Sequence, residues 1–527
     1  MQKLKVASVF VVLAALFSGT AAAQSQDERE KMPQPLTLKE AIQAAAINSP
    51  EVQARWHAFR EADEEVGVAR GGFFPKIDLS TGYGNIQSKQ NSGKARRKHL
   101  GKSYKDAANI EHWLGIDTDY SGSETTLSLQ QMIFDGFYTS SEVKRLGKAK
   151  LVRYFELLDA SENVALEAAR AYLDVVRYRE HVQLAEENYL QHYAAHEQLE
   201  RRAASGVGKR VDVDQAASRL ALADVNVTTA YANLHDVTAR YVRIVGVNPP
   251  KEMSVPEPML QSFPAQENAA LAVALQQNPA LRASIENIEA AQHDIDARRA
   301  AFYPRLDFIA RRDHYSNYED AGRRDDTRAE LRLNYNLFNG GSDAARTRQY
   351  RERKYTAIDL REKACRDMRQ TLSIAYNDTL RLNDQLTYLA TQVDLVAKTR
   401  AAYRDQFNIG QRTLLDLLNT QNEYFDARRA QVSANVDRSL AYLRTYAGMG
   451  RLLEVLELKH IDLENQAPAD DDFAMVELDQ LCPPLSPAEA TLNRETLTRN
   501  AKEMSQSSSF VGSRQPPRPA SPPAKKK

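Results

Sequence analysis

The chain has 527 residues, with 70 Lys and Arg against 70 Asp and Glu, and only two cysteines. A formal net charge of zero supplies no global field to recruit nucleic acid, so that class of partner is excluded. Cys365 and Cys482 are too few for a disulfide framework, and no bond is expected between a long helix and a Pro-rich tail.

Lys3 and Lys5 precede an apolar run from Val6 to Phe17, and Ala21-Ala22-Ala23 offers small residues for cleavage. Residues 1–23 therefore read as a secretory signal peptide, too short to remain as a membrane span. No cysteine near the cleavage point suggests a lipid anchor. The mature chain is either soluble outside the cytoplasm or crosses a membrane as strands.

A first unit occupies about 24–245. Ser49 is a good N-cap and Pro50 fits the first helical position. That helix ends at Phe73-Phe74-Pro75, before strands expected at about 77–87 and 123–134. The polar loop between them holds Lys94, Arg96, Arg97, Lys98, His99, Lys102 and Lys105, which suit either lipopolysaccharide phosphates or plain solvation. Long helices follow at about 137–205 and 211–245, separated by a turn at Gly206. His192 and His196 stand four apart, a possible metal pair. Without a glutamate in the metalloprotease position, a solvated helix face is the expected reading, and no metal or cofactor is expected.

Five prolines mark a linker at 246–267. A second unit, about 268–460, then repeats the first. Asn278-Pro279 stands 229 positions beyond Ser49-Pro50, and Phe302-Tyr303-Pro304 matches Phe73-Phe74-Pro75. Strands are expected at about 306–314 and 328–338, and long helices at about 342–409 and 413–447, with a turn at Gly410. Here the offset is 204, since the polar loop is shorter. Leu372, Ala375, Thr379, Leu382, Leu386, Leu389, Val393 and Val396 are spaced alternately three and four apart, as packed helices require. A helix of this length extends about 100 Å, more than a globular domain needs. Residues 461–527, rich in Pro and Ser, read as a mostly disordered tail.

Leu331, Leu333, Tyr335 and Leu337 alternate with polar residues, as do Ile77, Leu79 and Tyr83. An ordinary sheet with one wet face would look the same. Four strands cannot close a barrel, and an open edge cannot face lipid. If the strands enter a membrane, several chains must share one barrel. Phe73, Phe74, Phe134, Phe302, Tyr303 and Phe338, at the strand–helix junctions, suit an interfacial girdle or a hydrophobic plug.

These features together resemble the TolC-type outer-membrane channel family over roughly residues 36–455. The most specific stretch is Phe407-Asn408-Ile409-Gly410-Gln411-Arg412-Thr413-Leu414-Leu415-Asp416-Leu417-Leu418-Asn419, similar to that family's second periplasmic-tip motif. The resemblance implies a mostly α fold with a β-barrel portion. Three copies would give a twelve-strand barrel continuous with a tunnel of twelve helices. It also implies a homotrimer in the outer membrane of a Gram-negative cell, among outer-membrane lipid and reaching into the periplasm. Its partners would be a periplasmic adaptor and an inner-membrane ABC or proton-driven transporter. Asn48-Ser49-Pro50-Glu51-Val52 and Ala54 to Phe59 look like the branch that secretes proteins, including large adhesins.

Such a channel performs no bond chemistry. The resemblance places Arg412 on the family's gating arginine and Asp212 on its acidic partner, expected to bond between neighbouring protomers. Phe407 stands where relatives can carry a tip tyrosine, which removes a hydroxyl. Asp416 and Asn419 stand where relatives can carry two lumen-facing acids, so weaker trapping of cations is expected. Gly206 and Gly410 would shape the tips, and Pro75 and Pro304 the strand starts. Protein secretion is the leading reading, with small-molecule efflux and a soluble periplasmic adaptor as alternatives.

Overall fold

The computed structural model describes residues 37–89, 103–105, 111–113, 117–257, 262–316, 323–459, 461, 482 and 493–506. The expected signal peptide and all of the basic cluster except Lys105 lie outside them.

Two passages of the chain are built alike. In the first, α1 (Leu38–Asn48) and α2 (Pro50–Arg70) lead to β1 (Lys76–Lys89). A small hairpin, β2 (Ser103–Lys105) and β3 (Glu111–Trp113), precedes β4 (Asp117–Phe134), α3 (Tyr138–Ala204) and α4 (Arg210–Val245). In the second, α5 (Glu267–Gln277) and α6 (Pro279–Arg299) lead to β5 (Arg305–Ser316) and β6 (Arg324–Asn334). Then come α7 (Ser342–Asn408), α8 (Leu414–Met449) and the short α9 (Leu452–Val455). The corresponding helices have 11, 21, 67 and 36 residues in both passages.

Local chemistry sets these ends. Thr37 and Glu40 form a capping box on α1, satisfying two otherwise orphaned donors. The Ser49 hydroxyl accepts from Glu51 N–H, and Asn278 Oδ1 accepts from Leu281 N–H. Pro50 and Pro279 follow as first helical residues, where a missing N–H costs nothing. At the start of the long helices, Gly341 adopts a left-handed φ of 78°. Its counterpart in the first passage is Phe137, with φ 68°, whose ring packs edge-on against Phe134 and Tyr303.

The strands form one antiparallel sheet in the order β1-β4-β5-β6. Ile77 pairs with Leu129, Leu79 with Leu127, Phe308 with Leu331 and Leu306 with Leu333, so apolar side chains gather on one face. Ile77, Leu79, Tyr83, Leu127, Leu331 and Leu333 are all exposed there. Burying one such side chain is worth about 1.5–3 kcal/mol, so this face suits lipid far better than water. The opposite face carries charges in opposed pairs two residues apart. Lys76–Asp78, Arg305–Asp307, Arg311–Asp313 and Arg324–Asp326 meet at 3.3, 2.9, 2.6 and 2.9 Å, and Glu330 pairs with Arg332. β1 and β6 are the sheet's edges.

The main core lies at the waist of the helical region. Ala-rich α1 and α5 pack there against Ala165, Ala168, Ala169, Tyr172 and Val176 of α3 and against Leu440, Leu443, Tyr446 and Met449 of α8. Glu162, 5 % exposed, accepts hydrogen bonds from Leu452 N–H at 2.9 Å and Leu453 N–H at 3.2 Å, which fixes the start of α9. Burial pushes its carboxyl up to about 7, against the pull of those two amides.

Several expectations need correction. Cys365 and Cys482 are joined by a disulfide, with Cα atoms 6.0 Å apart. Cys482 is buried in the waist core, a return of the chain that helix and tail composition could not reveal. Within the tail read as mostly disordered lies one 13-residue helix, α10 (Arg494–Gln506), in a separate unit, 483–527, most of which lies outside the described residues. Its apolar residues Leu497, Ala501 and Met504 are only one per turn, which hid the periodicity. The loop between the first strands contains β2 and β3. The main strands also differ in extent, because backbone pairing continues where side-chain alternation lapses: β4 begins at Asp117 and β6 at Arg324. β6 ends at Asn334, before Tyr335, Leu337 and Phe338, all of which are exposed beside an edge with no strand across from it. In the seam on α7, Leu372, Ala375, Thr379 and Leu382 are buried, whereas Leu386, Leu389, Val393 and Val396 are only half-buried.

The disulfide closes a loop of 117 residues, a constraint worth about 5 kcal/mol in the chain-entropy account. Replacing both cysteines by serine is therefore expected to lower the midpoint of thermal unfolding by circular dichroism. A reductant should shift the wild type toward that value and leave the variant unchanged.

Candidate gate at the helix tips

The two helical hairpins, α3–α4 and α7–α8, turn through matching structures. Gly206 has φ +80° and Gly410 φ +78°, a conformation that costs residues with a Cβ about 1 kcal/mol or more. Gly206 N–H donates to Ala203 O and Val207 N–H to Arg202 O, at 3.0 and 3.1 Å. Gly410 N–H donates to Phe407 O and Gln411 N–H to Gln406 O, at 3.0 and 2.8 Å. Each tip thus satisfies its last carbonyls within itself. Behind the turns, Leu199, Val213 and Ala216 of the first hairpin pack with Phe407, Leu414 and Leu418 of the second. Phe407 is therefore a core residue joining the hairpins, with the Arg202 guanidinium 5.1 Å above its ring.

Arg412 is held by three groups of its own hairpin. Its Nε donates to Gln406 Oε1 at 2.9 Å, its Nη1 lies 3.7 Å from Asp416 Oδ2, and its guanidinium stands 4.3 Å over the Tyr403 ring. Asp416 also serves the cap of α8: Thr413 Oγ1 accepts from Asp416 N–H at 3.3 Å and donates to Asp416 Oδ2 at 2.8 Å. Asn419 Oδ1 accepts from Arg219 Nη2 at 3.3 Å, a link from the second hairpin to the first. Asp212 stands in the first turn of α4, half-buried. Among the described residues no ion pair holds its carboxylate, whereas Asp214 pairs with Arg210 at 3.5 Å.

The structure does not bring Asp212 and Arg412 together within one chain. The pair Arg412–Asp416 is 38 % exposed on both sides, and such pairs contribute only about 0–1 kcal/mol. Arg412 can leave it at little cost. Tyr403 and Gln406, which orient this arginine, escaped sequence reading although they lie nine and six residues before it. Pro75 and Pro304 sit far away, immediately before β1 and β5, where lacking an N–H removes nothing from the ladder.

A second polar array links α3 to α8 along the hairpins. Arg177 reaches Asp437 at 2.5 Å, His181 Nε2 meets Ser433 Oγ at 3.2 Å, and Gln421 donates to Asn188 Oδ1 at 3.4 Å. Farther down, His192 Nε2 meets Asn422 Oδ1 at 3.0 Å, and Arg404 of α7 donates to Gln191 at 2.8 Å. His192 is 1 % exposed, so the expectation of a solvated face is wrong for it: the ring fills the seam against Asn422. His196 instead lies 3.8 Å from Glu200. No metal-binding cluster occurs among the described residues. The spacing of 177, 181, 188 and 192, in steps of four, seven and four, was the available signal that α3 presents this polar stripe to a partner.

The family model described as outer membrane efflux protein matches residues 41–247 and 270–451. The outer membrane efflux protein BepC of Brucella suis is 26 % identical over 425 residues, covering 79 % of this chain and 86 % of that protein. The alkaline protease secretion protein AprF of Pseudomonas aeruginosa is 25 % identical over 427 residues, covering 79 % and 85 %. Among solved structures, the CmeC outer membrane channel of Campylobacter jejuni aligns with a TM-score of 0.68 at 12 % identity, covering 79 % of this chain and 86 % of that one. This last likeness concerns the fold.

Burial, followed by the charge of Arg429, lowers the His181 imidazole to about 4. Its neutral form belongs to the folded seam, while the unfolded chain takes up the proton near 6.5. The stability it contributes is present above 6.5 and is lost as pH falls through 4. His181→Gln should therefore show a flatter acid limb in a plot of thermal midpoint against pH. An unchanged slope would mean that the ring is not desolvated in this way.

Proposed function

Because the chain belongs to the outer membrane efflux protein family, we propose that it is the exit duct of a three-part export machine that secretes protein. It lies in the outer membrane, with its helices in the periplasm, and its sheet and long helices are consistent with the trimeric barrel and tunnel of that family. The observation that carries the reading is the sheet itself. Four strands with an exposed apolar face and two open edges complete their hydrogen bonds in lipid only when several chains close one barrel.

An inner-membrane transporter, ABC-type or proton-driven, and a periplasmic adaptor would provide energy and cargo; the duct provides passage. At rest the helix tips hold the lumen shut. Arg412, given up easily by Asp416, bonds Asp212 of the adjacent protomer, and docking of the adaptor breaks that link. Asp416 is partly committed to the Thr413 cap, and Asn419 carries no charge, so these two positions offer a cation one carboxylate rather than two.

Protein cargo is favoured by the likeness to AprF, whose name assigns it to protease secretion, and to PrtF, a proteases secretion protein of Dickeya chrysanthemi. A second reading, small-molecule efflux, has its own support in the toluene efflux pump protein TtgC of Pseudomonas putida, 24 % identical over 446 residues.

Two measurements test these points. Arg412→Glu should raise single-channel conductance in planar bilayers severalfold, and the exchange Arg412→Asp with Asp212→Arg should restore the low value. An unaltered conductance in Arg412→Glu removes the latch. Deletion of the gene should abolish surface display of a large secreted protein. Sensitivity to toxic small molecules with an intact surface proteome would favour the efflux reading instead.

A further inference from the structure

The internal repeat specifies how a second copy of this chain docks. Contacts within the first passage recur in the second at equivalent positions. Lys150 meets Asp63 at 2.6 Å, and Lys354 meets Gln292 at 2.8 Å, with residues 354 and 292 being the repeat counterparts of 150 and 63. The two passages also touch each other, and that contact is made only once per chain. β4 pairs with β5 through Leu127↔Arg312, Ser128↔Arg311, Leu129↔Ala310 and Gln130↔Ile309. Beside this ladder α3 packs on α6, with Lys148 Nζ 3.0 Å from the buried Glu286. Gly136 lies so close to α6 that a Cβ would stand 2.7 Å from Ala300 O and 2.8 Å from Tyr303 Cβ.

The second passage presents the same surface, and among the described residues no strand pairs with its edge. β6, the counterpart of β4, is an edge, and β1, the counterpart of β5, is the other. Gly340, the counterpart of Gly136, has a left-handed φ of 58° but open space around its Cβ position.

We infer, resting on the shared barrel proposed above, that β6 and α7 of one copy receive β1 and α2 of the next in the register that β4 and α3 use for β5 and α6. Shifting the observed pairs by the repeat offsets gives Leu331 opposite the neighbouring copy's Tyr83, Arg332 opposite its Gly82, Leu333 opposite its Thr81 and Asn334 opposite its Ser80. The alternation confirms that this register keeps faces together. Leu331, Leu333, Ile77, Leu79 and Tyr83 remain on the apolar side, while Asn334, Arg332, Ser80 and Gly82 remain on the charged side. A shift by one residue would reverse one strand's faces.

The helices supply an independent check. The counterparts of Lys148 and Glu286 are Glu352 and His57, both exposed, so the carboxylate moves to the other side of the contact and faces an imidazole N–H that can donate to it. Lys144 acts on His293, and their counterparts are Arg348 and Glu64. Arg348 is exposed, and among the described residues no ion pair holds it. A carboxylate is thus provided for it by the adjoining copy. The same edge explains why Tyr335 to Phe338 alternate like a strand without forming one in a single chain: their partners are the neighbour's Ile77 to Leu79.

The test is crosslinking of the full-length chain in its own outer membrane. The native cysteines are bonded and buried, so only introduced thiols react. Ser80→Cys with Asn334→Cys should give covalent oligomers with a short thiol-to-thiol reagent. Gly84→Cys with Asn334→Cys, displaced by about 13 Å along the strand, should not. Separately, Glu352→Arg should weaken the oligomer on mild detergent gels, and His57→Glu in the same chain should restore it. Crosslinking of the displaced pair, or of neither pair in an intact trimer, would overturn the register while leaving the shared barrel in place. A monomer in unmodified wild-type membranes would overturn both.

Discussion

A backbone amide in hydrocarbon has no water to turn to, and this one constraint organises the molecule. In the sheet β1-β4-β5-β6 the inner strands satisfy one another, but the outer sides of β1 and β6 do not. Leaving them so in a bilayer costs several kcal/mol per group. The remedy is copies of the chain rather than a longer chain. The exposed apolar face, the glycine at 340 with vacant space around it and the exposed Arg348, without an ion pair among the described residues, all lie along the surfaces that such copies would cover. Pairing along β6 would also draw Tyr335 to Phe338 into the ladder, extending the aromatic and apolar band at the sheet–helix junction.

Much of this was legible in the sequence because it is written in local chemistry. Ser49-Pro50, Asn278-Pro279, Gly206 and Gly410 mark helix ends by the bonds a side chain or a left-handed turn makes to neighbouring backbone. The alternation from Leu331 to Leu337 reports a two-faced strand for the same reason. Features that depend on distant parts of the chain were not legible. Cys482 meets Cys365 across 117 positions of sequence, a juxtaposition that no local pattern records. His181 and His192 look like surface residues in isolation, and only α8, with Ser433 and Asn422, turns their positions into a buried seam. The candidate gate falls between these cases. Motif likeness identified Arg412, Asp212, Asp416 and Asn419, yet Tyr403 and Gln406, which hold Arg412, and Arg219, which holds Asn419, are evident only in three dimensions.

The polar seam and the tip divide the labour of the hairpins. Along α3 and α8, buried or half-buried partners such as Asn188–Gln421 and His192–Asn422 fix which helix faces meet, since an unmatched polar group there is penalised. Near the end, the pairs are exposed and weak, and Arg412 has several exchangeable partners within reach. A rigid shaft therefore ends in a labile point, the distribution expected of a structure that opens at one end without unravelling.

The bond between Cys365 and Cys482 fastens α7 at the waist core. From Cys365 to the end of α7 is about 60 Å of unbroken helix, so a tilt of only five degrees about the waist would sweep its far end by roughly 5 Å. Geometry of this kind amplifies: a small rotation at the waist becomes a displacement of several ångströms at the extremity, with no bond broken anywhere near the pivot.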